Sequence, residues 1–190
     1  MDSVTSTPPT VWGVFVGNHG DQLEVFNSQS GPFPPKKGSK GYIAIGWPAI
    51  GSLSMFKDNY LDYIEKFRIA YPRRPEESER KFKTQANMPW HFAFEMKDGD
   101  LVICPCSAQG LLLVGEIEGK YENDYHNELG LYGKKRQDFV HLRNVKWKEI
   151  ILRSDSRYPQ LNRIGQLTVA RPHLTFAELQ AILESVATAA

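Results

Sequence analysis

Two apolar runs dominate the second half of the chain, LVICP at 101–105 and LLLVGEIEG at 111–119, with little but Ser107, Ala108, Gln109 and Gly110 between them. Short apolar runs bounded by turn residues predict strands, and this spacing predicts a buried hairpin turning at 107–110. VWGVFV (11–16) reads as an earlier strand, followed by the turn-prone Gly17, Asn18, His19 and Gly20. YIAIGW (42–47) and FVHLRNVKW (139–147) predict two more strands, separated from their neighbours by loop-like stretches at 27–41 and 120–138. Elsewhere the period changes. From Ser52 onward Phe56, Tyr60, Tyr63, Ile64 and Phe67 recur at helical spacing. Pro75 with Glu76 and Glu77 predicts the first turn of a second helix, and Pro89 the start of a short helix, WHFAFEM, ended by Lys97, Asp98, Gly99 and Asp100. After Pro172, Thr175 and Glu178 have capping-box spacing, and Phe176, Leu179, Ile182, Leu183 and Val186 make one apolar stripe.

Strands, then helices, then strands again predict an α+β fold: a small curved or barrel-like mixed sheet flanked by helices. Residues 11–190 read as one domain closed by a helix over 175–187, and residues 1–10, MDSVTSTPPT, as a disordered polar tail without the apolar core of a secretion signal. A chain of 190 residues is ample for a buried core. Its net charge of +1 argues against a generic nucleic-acid coat, but not against local basic patches. Two cysteines, Cys104 and Cys106, are too few and too close for a disulfide scaffold, which fits a reduced, cytoplasmic setting. No apolar run reaches the ~20 residues of a membrane helix.

Four groups of residues could carry chemistry. Aromatic residues are plentiful: Trp12, Trp47, Trp90 and Trp147, with Tyr42, Tyr121, Tyr125, Tyr132 and Phe139. Trp12 and Trp147 lie in or beside strands and read as packing residues. Trp47 differs, because Pro48 and Gly51 turn the backbone beside it at a strand end. There a flat ring either packs inward or forms one wall of a slot for a planar guest, where stacking on a base contributes ~1–3 kcal/mol. Basic residues gather in loops: Lys36, Lys37 and Lys40; Arg73 and Arg74; Arg80, Lys81 and Lys83; Lys134, Lys135 and Arg136. They form either a solvated surface or a phosphate-binding face. Glu118-Gly119-Lys120 has the ExK form, and a hairpin would bring Asp100 toward Glu118, so the three could hold a divalent ion in a small nuclease. Finally, Cys104 and Cys106 with His91, His126 and His141 lack the spacing of a structural zinc site and read better as buried cysteines. No phosphate-loop glycine pattern is present.

Three segments, VWGVFVGNHG, GYIAIGWPAIGSLS and MKDGDLVICP…LLLVGEIEGKY…HLRNVKW, taken in that order, resemble the EVE domains of the PUA-like superfamily, as found in specificity domains of modification-dependent restriction enzymes. The order is also similar to that of YTH domains, which read methylated adenine in RNA through an aromatic cage. The resemblance implies that Trp47 is one cage wall and that Gly17, Asn18 and His19 supply polar contacts to the base, with Asn18 bonding its edge. The other walls would come from the segment before the last long strand. That segment has no tryptophan here, only Tyr121, Tyr125, Tyr132 and Phe139.

The expected function is therefore a non-catalytic reader of modified bases. It would bind nucleic acid, principally double-stranded DNA, without cofactor, metal or membrane, as the specificity module of a restriction or defence system with a separate or fused nuclease or NTPase. Lys36, Lys37, Lys40, Arg73, Arg74, Lys134, Lys135 and Arg136 would contact phosphates. The alternatives are the Asp100/Glu118/Lys120 nuclease and an RNA-binding module of the same class.

Overall fold

The computed structural model describes residues 8–17, 20, 23–28, 32–57, 59–123, 138–164 and 167–188. Its centre is a six-stranded mixed sheet curled into a half-barrel. The strands are β1 (Val11–Val14), β2 (Lys40–Ile45), β3 (Leu101–Cys106), β4 (Leu111–Asn123), β5 (His141–Leu152) and β6 (Val169–Ala170), in the order β2-β5-β4-β3-β1-β6. Only β1 and β3 run parallel; the other pairs are antiparallel. The helices are α1 (Leu23–Ser28), α2 (Tyr60–Ala70), α3 (Glu79–Trp90) and α4 (Phe176–Thr188). The α+β class and the curved sheet flanked by helices are as the sequence predicts.

Why the central strands read as unbroken apolar runs is clear from their two faces. Side chains alternate across a sheet, so a strand covered on both sides has no polar positions. In β3, Val102, Cys104 and Cys106 enter the half-barrel interior with Trp12, Val14, Ile43 and Trp147, while Leu101 and Ile103 face outward. The outward face is closed by α4 through Leu179 and Ile182. Its helix starts as the capping box requires: Thr175 Oγ1 accepts from Glu178 N at 3.2 Å, and Glu178 Oε2 accepts from Thr175 N at 2.7 Å. A third cluster binds α2 to α3 through Tyr63, Phe67, Phe82 and Ala86. Trp12 and Trp147 are fully buried packing residues.

Several boundaries differ from the sequence reading. The helix expected from Ser52 is divided into a 3-10 turn, Leu53–Phe56, and α2, which begins where Asn59 Oδ1 accepts from Asp62 N at 3.1 Å. Pro75, Glu76 and Glu77 form a turn rather than a helix start, because Ser78 caps α3 by accepting from Lys81 N at 3.1 Å. Pro89 opens no separate helix; it lies inside α3. Lacking an N–H, it breaks the regular ladder, and the chain continues as a π-turn over His91–Glu95. Asn27 and Ser28, read as loop, end α1, while β5 runs past residue 147 to Leu152. Thr10, read as tail, is tied down, its N–H donating to Asp100 at 2.7 Å.

Candidate functional site

At one end of the sheet β2 finishes, β5 begins and β4 finishes: Ile45 and Asn123 both pair with His141. Pairing of β4 with β5 is interrupted there. Glu118 faces Asn144 and Glu122 faces Leu142, so residues 119–121 together lie opposite Arg143. Gly119 takes the left-handed conformation, φ 73°, that such a bulge needs. The bulge carries Tyr121 to the strand end and leaves the Gly119 carbonyl pointing at Arg143.

Arg143 is buried, and its guanidinium is spent on backbone carbonyls. Nε donates to Phe92 O at 3.0 Å, Nη1 to Gly119 O at 3.1 Å, and Nη2 to Ala93 O at 3.1 Å and to Met96 O. It thus closes the C-terminal end of the π-turn, where carbonyls have no helical partner and positive charge is favourable. Burial lowers its pKa to about 10, with Asp100, Tyr121 and Asp98 pulling the other way, so it stays protonated at neutral pH.

A chain of hydrogen bonds runs from Arg143's neighbours to Trp47. Leu53 N–H donates to the Tyr121 hydroxyl at 3.4 Å, which meets His141 Nδ1 at 2.7 Å; His141 Nε2 meets the Trp47 carbonyl at 3.3 Å. A carbonyl only accepts, so Nε2 carries the proton, Nδ1 accepts from the phenol, and the imidazole is neutral. Burial lowers the His141 pKa to about 4, against the raising effect of the Trp47 carbonyl. Burial likewise pushes the Tyr121 phenol above its usual range.

Trp47 itself is in the left-handed region, φ 69° and ψ 48°, the single non-glycine residue with positive φ among the described residues. For an L-residue this costs about 1–2 kcal/mol. The conformation lets the chain turn sharply into the 3-10 helix Pro48–Ile50, and the Trp47 carbonyl accepts from Ile50 N at 3.3 Å as well as from His141. The indole is half-buried where the half-barrel core meets the α2–α3 cluster, and it meets no other aromatic ring among the described residues.

Beside this end, on the Tyr121 side, lies a cavity of about 400 Å³. Ala93, Phe94, Met96 and Tyr121 give it apolar and aromatic walls, and Arg143 lies among the lining residues. Three exposed lysines, Lys57, Lys97 and Lys120, line it too, and none pairs with a carboxylate among the described residues. Asp98 is the one acid in the lining among the described residues; its Oδ1 accepts from Gly119 N at 2.6 Å.

The structure brings some sequence candidates together and separates others. Trp47 and Tyr121 share the sheet end, linked through His141. Phe139 is half-buried against the core next to Asp138, whose carbonyl faces Gly46. Gly17 leaves β1 at the end where β3 finishes, and Gly20 backs directly onto the Pro105 carbonyl. Asn18, His19, Tyr125, Tyr132, Lys134, Lys135 and Arg136 lie outside the described residues, as does His126. Lys36, Lys37 and Lys40 stand at the start of β2, about 17 Å of strand away from its Trp47 end. There Lys37 pairs with Glu149 at 3.0 Å and Lys40 with Glu118 at 3.7 Å. Arg73 and Arg74 are closer to Trp47, since the neighbouring Tyr71 hydroxyl accepts from Ala49 N at 3.0 Å.

Asp100 is 3% exposed and fully engaged: Oδ1 accepts from Thr10 N, and Oδ2 from Trp12 Nε1 at 2.8 Å and Lys97 N at 2.9 Å. This is the bonding of a structural carboxylate pinning β1 to the turn before β3. Asp100→Asn is expected to destabilise the fold by about 2 kcal/mol, because an amide turns donors toward donors. Urea unfolding with and without magnesium checks it; a loss of stability appearing only when magnesium is present would contradict this assignment. No group of three or more His, Cys, Asp or Glu side chains is placed to hold a metal ion among the described residues. Cys104 and Cys106 are buried in the half-barrel, and Cys106 donates to Gln109 at 3.1 Å.

Lys57, Lys97, Phe94 and Arg143 were not legible as site residues. Each reads in the sequence as ordinary surface or core, and no spacing joins them. His141 stood out only as a metal candidate. No helix among the described residues is long and apolar enough to cross a membrane. Comparison with curated proteins and with solved structures finds no match. A family described as a domain of unknown function, DUF8426, matches residues 30–171. That span takes in β2 to β6 and the whole of the site just described, and the chain belongs to this family.

Proposed function

We propose that this protein is a reader of modified nucleobases, taking an unpaired or flipped base against the Trp47 indole and serving as the specificity module of a modification-dependent restriction system acting on DNA. One observation carries the reading. A bulky residue is held in a costly left-handed turn at a strand end, with its side chain only partly buried and its carbonyl fixed by His141. Backbone strain of this kind persists where the surroundings enforce it, and it clusters at ligand sites. The resemblance of IGWPAIGSLS to the base-reading domains, which implies a cage wall at the same residue, supports this reading.

Energies set what such a site must do. Extracting a duplex base costs a few kcal/mol, which stacking and phosphate contacts must offset. A buried methyl group adds only about 0.8 kcal/mol, roughly fourfold in affinity, so strong discrimination needs hydrogen bonds to the base edge as well. Arg74, near the Trp47 turn, suits phosphate contacts, whereas Arg73 is paired with Glu79 at 3.9 Å and donates to the Glu77 carbonyl.

The test is a binding panel of short duplexes carrying methyladenine, methylcytosine, hydroxymethylcytosine or no modification, with RNA competitors, at physiological salt. One modified duplex is expected to bind best, and Trp47→Gly to weaken it by about tenfold or more. Trp47→Gly should also be about 1 kcal/mol more stable than Trp47→Ala, because glycine accepts φ 69° without strain. Equal affinity across the panel, or unchanged binding by Trp47→Gly, would overturn the reading.

A further inference from the structure

The lysine-rimmed cavity has features the Trp47 reading does not use, and Trp47 is not among its lining residues. We propose that this cavity is a separate binding site for a nucleoside monophosphate unit whose base carries an exocyclic amino group. Size comes first: about 400 Å³ falls within the roughly 300–1,000 Å³ typical of small-molecule sites. Shape and chemistry follow. Phe94 and Tyr121 give aromatic surface, and Ala93 and Met96 complete an apolar lining that suits a flat heterocycle.

Charge distinguishes the two ends of the guest. Arg143 donates to four carbonyls, Phe92, Gly119, Ala93 and Met96, so four of its five N–H donors are already committed to the backbone. The lining cations without a carboxylate partner among the described residues are Lys57, Lys97 and Lys120, all exposed. A guest anion is therefore held at the rim while its ring goes inward, which is the polarity of a nucleotide. Asp98 adds selectivity. Its Oδ1 is taken by Gly119 N, and Oδ2 accepts no hydrogen bond among the described residues. A carboxylate oxygen accepts from the amino group of cytosine, adenine or guanine, and finds no such donor on uracil.

The guest can be a free nucleotide or one residue of a single strand, and calorimetric titration separates them. Cytidine and uridine monophosphates and a short oligocytidylate are titrated into the full chain, with Lys120→Glu, Asp98→Asn and Trp47→Gly alongside. Lys36→Glu, at the far end of β2, is the control for the same charge change. Cytidine monophosphate is expected to bind and to exceed uridine monophosphate. Lys120→Glu should weaken it by about tenfold, and Lys36→Glu by less than about twofold. Asp98→Asn keeps an acceptor for Gly119 N and should bring the cytidine-to-uridine ratio toward one. Trp47→Gly should leave all of this unchanged, so this site and the base-reading role stand or fall separately. Equal affinities for free nucleotide and oligomer assign a free nucleotide; a clear gain with the oligomer assigns a strand residue. The proposal is overturned if neither binds up to about 1 mM. Weakening by Lys36→Glu as large as that by Lys120→Glu overturns it too.

Discussion

Replacing Arg143 by Met is expected to lower the unfolding free energy by about 3–4 kcal/mol, the sum of several backbone carbonyls losing a charged donor at roughly 1 kcal/mol each. The guanidinium is the common partner of Phe92, Ala93 and Met96 on the π-turn and Gly119 in the β4 bulge. Methionine matches the volume but offers nothing to these oxygens. Arg143→Lys keeps the charge but has one nitrogen where Arg has three, and should recover less than half of the loss. Denaturant unfolding of the three proteins measures this directly. A cost for Arg143→Met below about 1 kcal/mol would mean that water from the neighbouring cavity serves the carbonyls equally well. The substitution should also abolish nucleotide binding in that cavity, since its walls come from the two segments Arg143 ties together.

Acid is the second lever. His141 titrates near pH 4 in the folded protein against 6.5 for an ordinary histidine. Between those values the unfolded chain binds a proton that the folded chain does not. Stability from this residue is therefore complete above about pH 6.5 and is lost as pH falls toward 4. The full loss is on the order of 3 kcal/mol, about 1.4 kcal/mol for each pH unit of the window. The main cause is burial of the imidazole, and the hydrogen bond at Nδ1 favours the same neutral form. A proton on Nδ1 would face the Tyr121 hydroxyl, which must then turn its own proton away, toward the Leu53 N–H. The chain that fixes the Trp47 carbonyl would break with it. Unfolding measured at intervals from pH 4 to 7, for the natural protein and His141→Gln, isolates the effect from that of the carboxylates. The variant should lack about one proton's worth of slope in this window. Identical slopes would show that the imidazole is not the titrating group. Binding at Trp47 is expected to weaken over the same range.

Trp47 shows how far sequence reasoning reached. Pro48 and Gly51 mark a turn beside it, and that local signal was enough to single it out. Its left-handed φ was not legible, because for an L-residue this region is intrinsically unfavourable and only the surrounding contacts enforce it. Likewise Glu118-Gly119-Lys120 drew attention as a possible metal-binding triplet. In the folded chain it is the start of a bulge, with Glu118 paired to Lys40, Gly119 bonded to Asp98 and Arg143, and Lys120 at a cavity. Lys37 and Lys40 looked available for phosphates until the folded sheet placed acids beside them, Glu149 of β5 and Glu118 of β4.

The sequence alone determined strands within 11–16, 101–105 and 111–119, the hairpin between two of them, the capped C-terminal helix and the α+β class. Each of these is written in the periodicity and turn chemistry of neighbouring residues, which act through local sterics and burial. Only the tertiary structure decided where the site is. Arg143 meets Phe92 across 51 positions, Tyr121 meets His141 across 20, and Trp47 meets His141 across 94. Contacts that distant leave no period in a sequence, so the cavity, the bulge and the strained tryptophan exist only once the sheet has curled and the helices have closed on it.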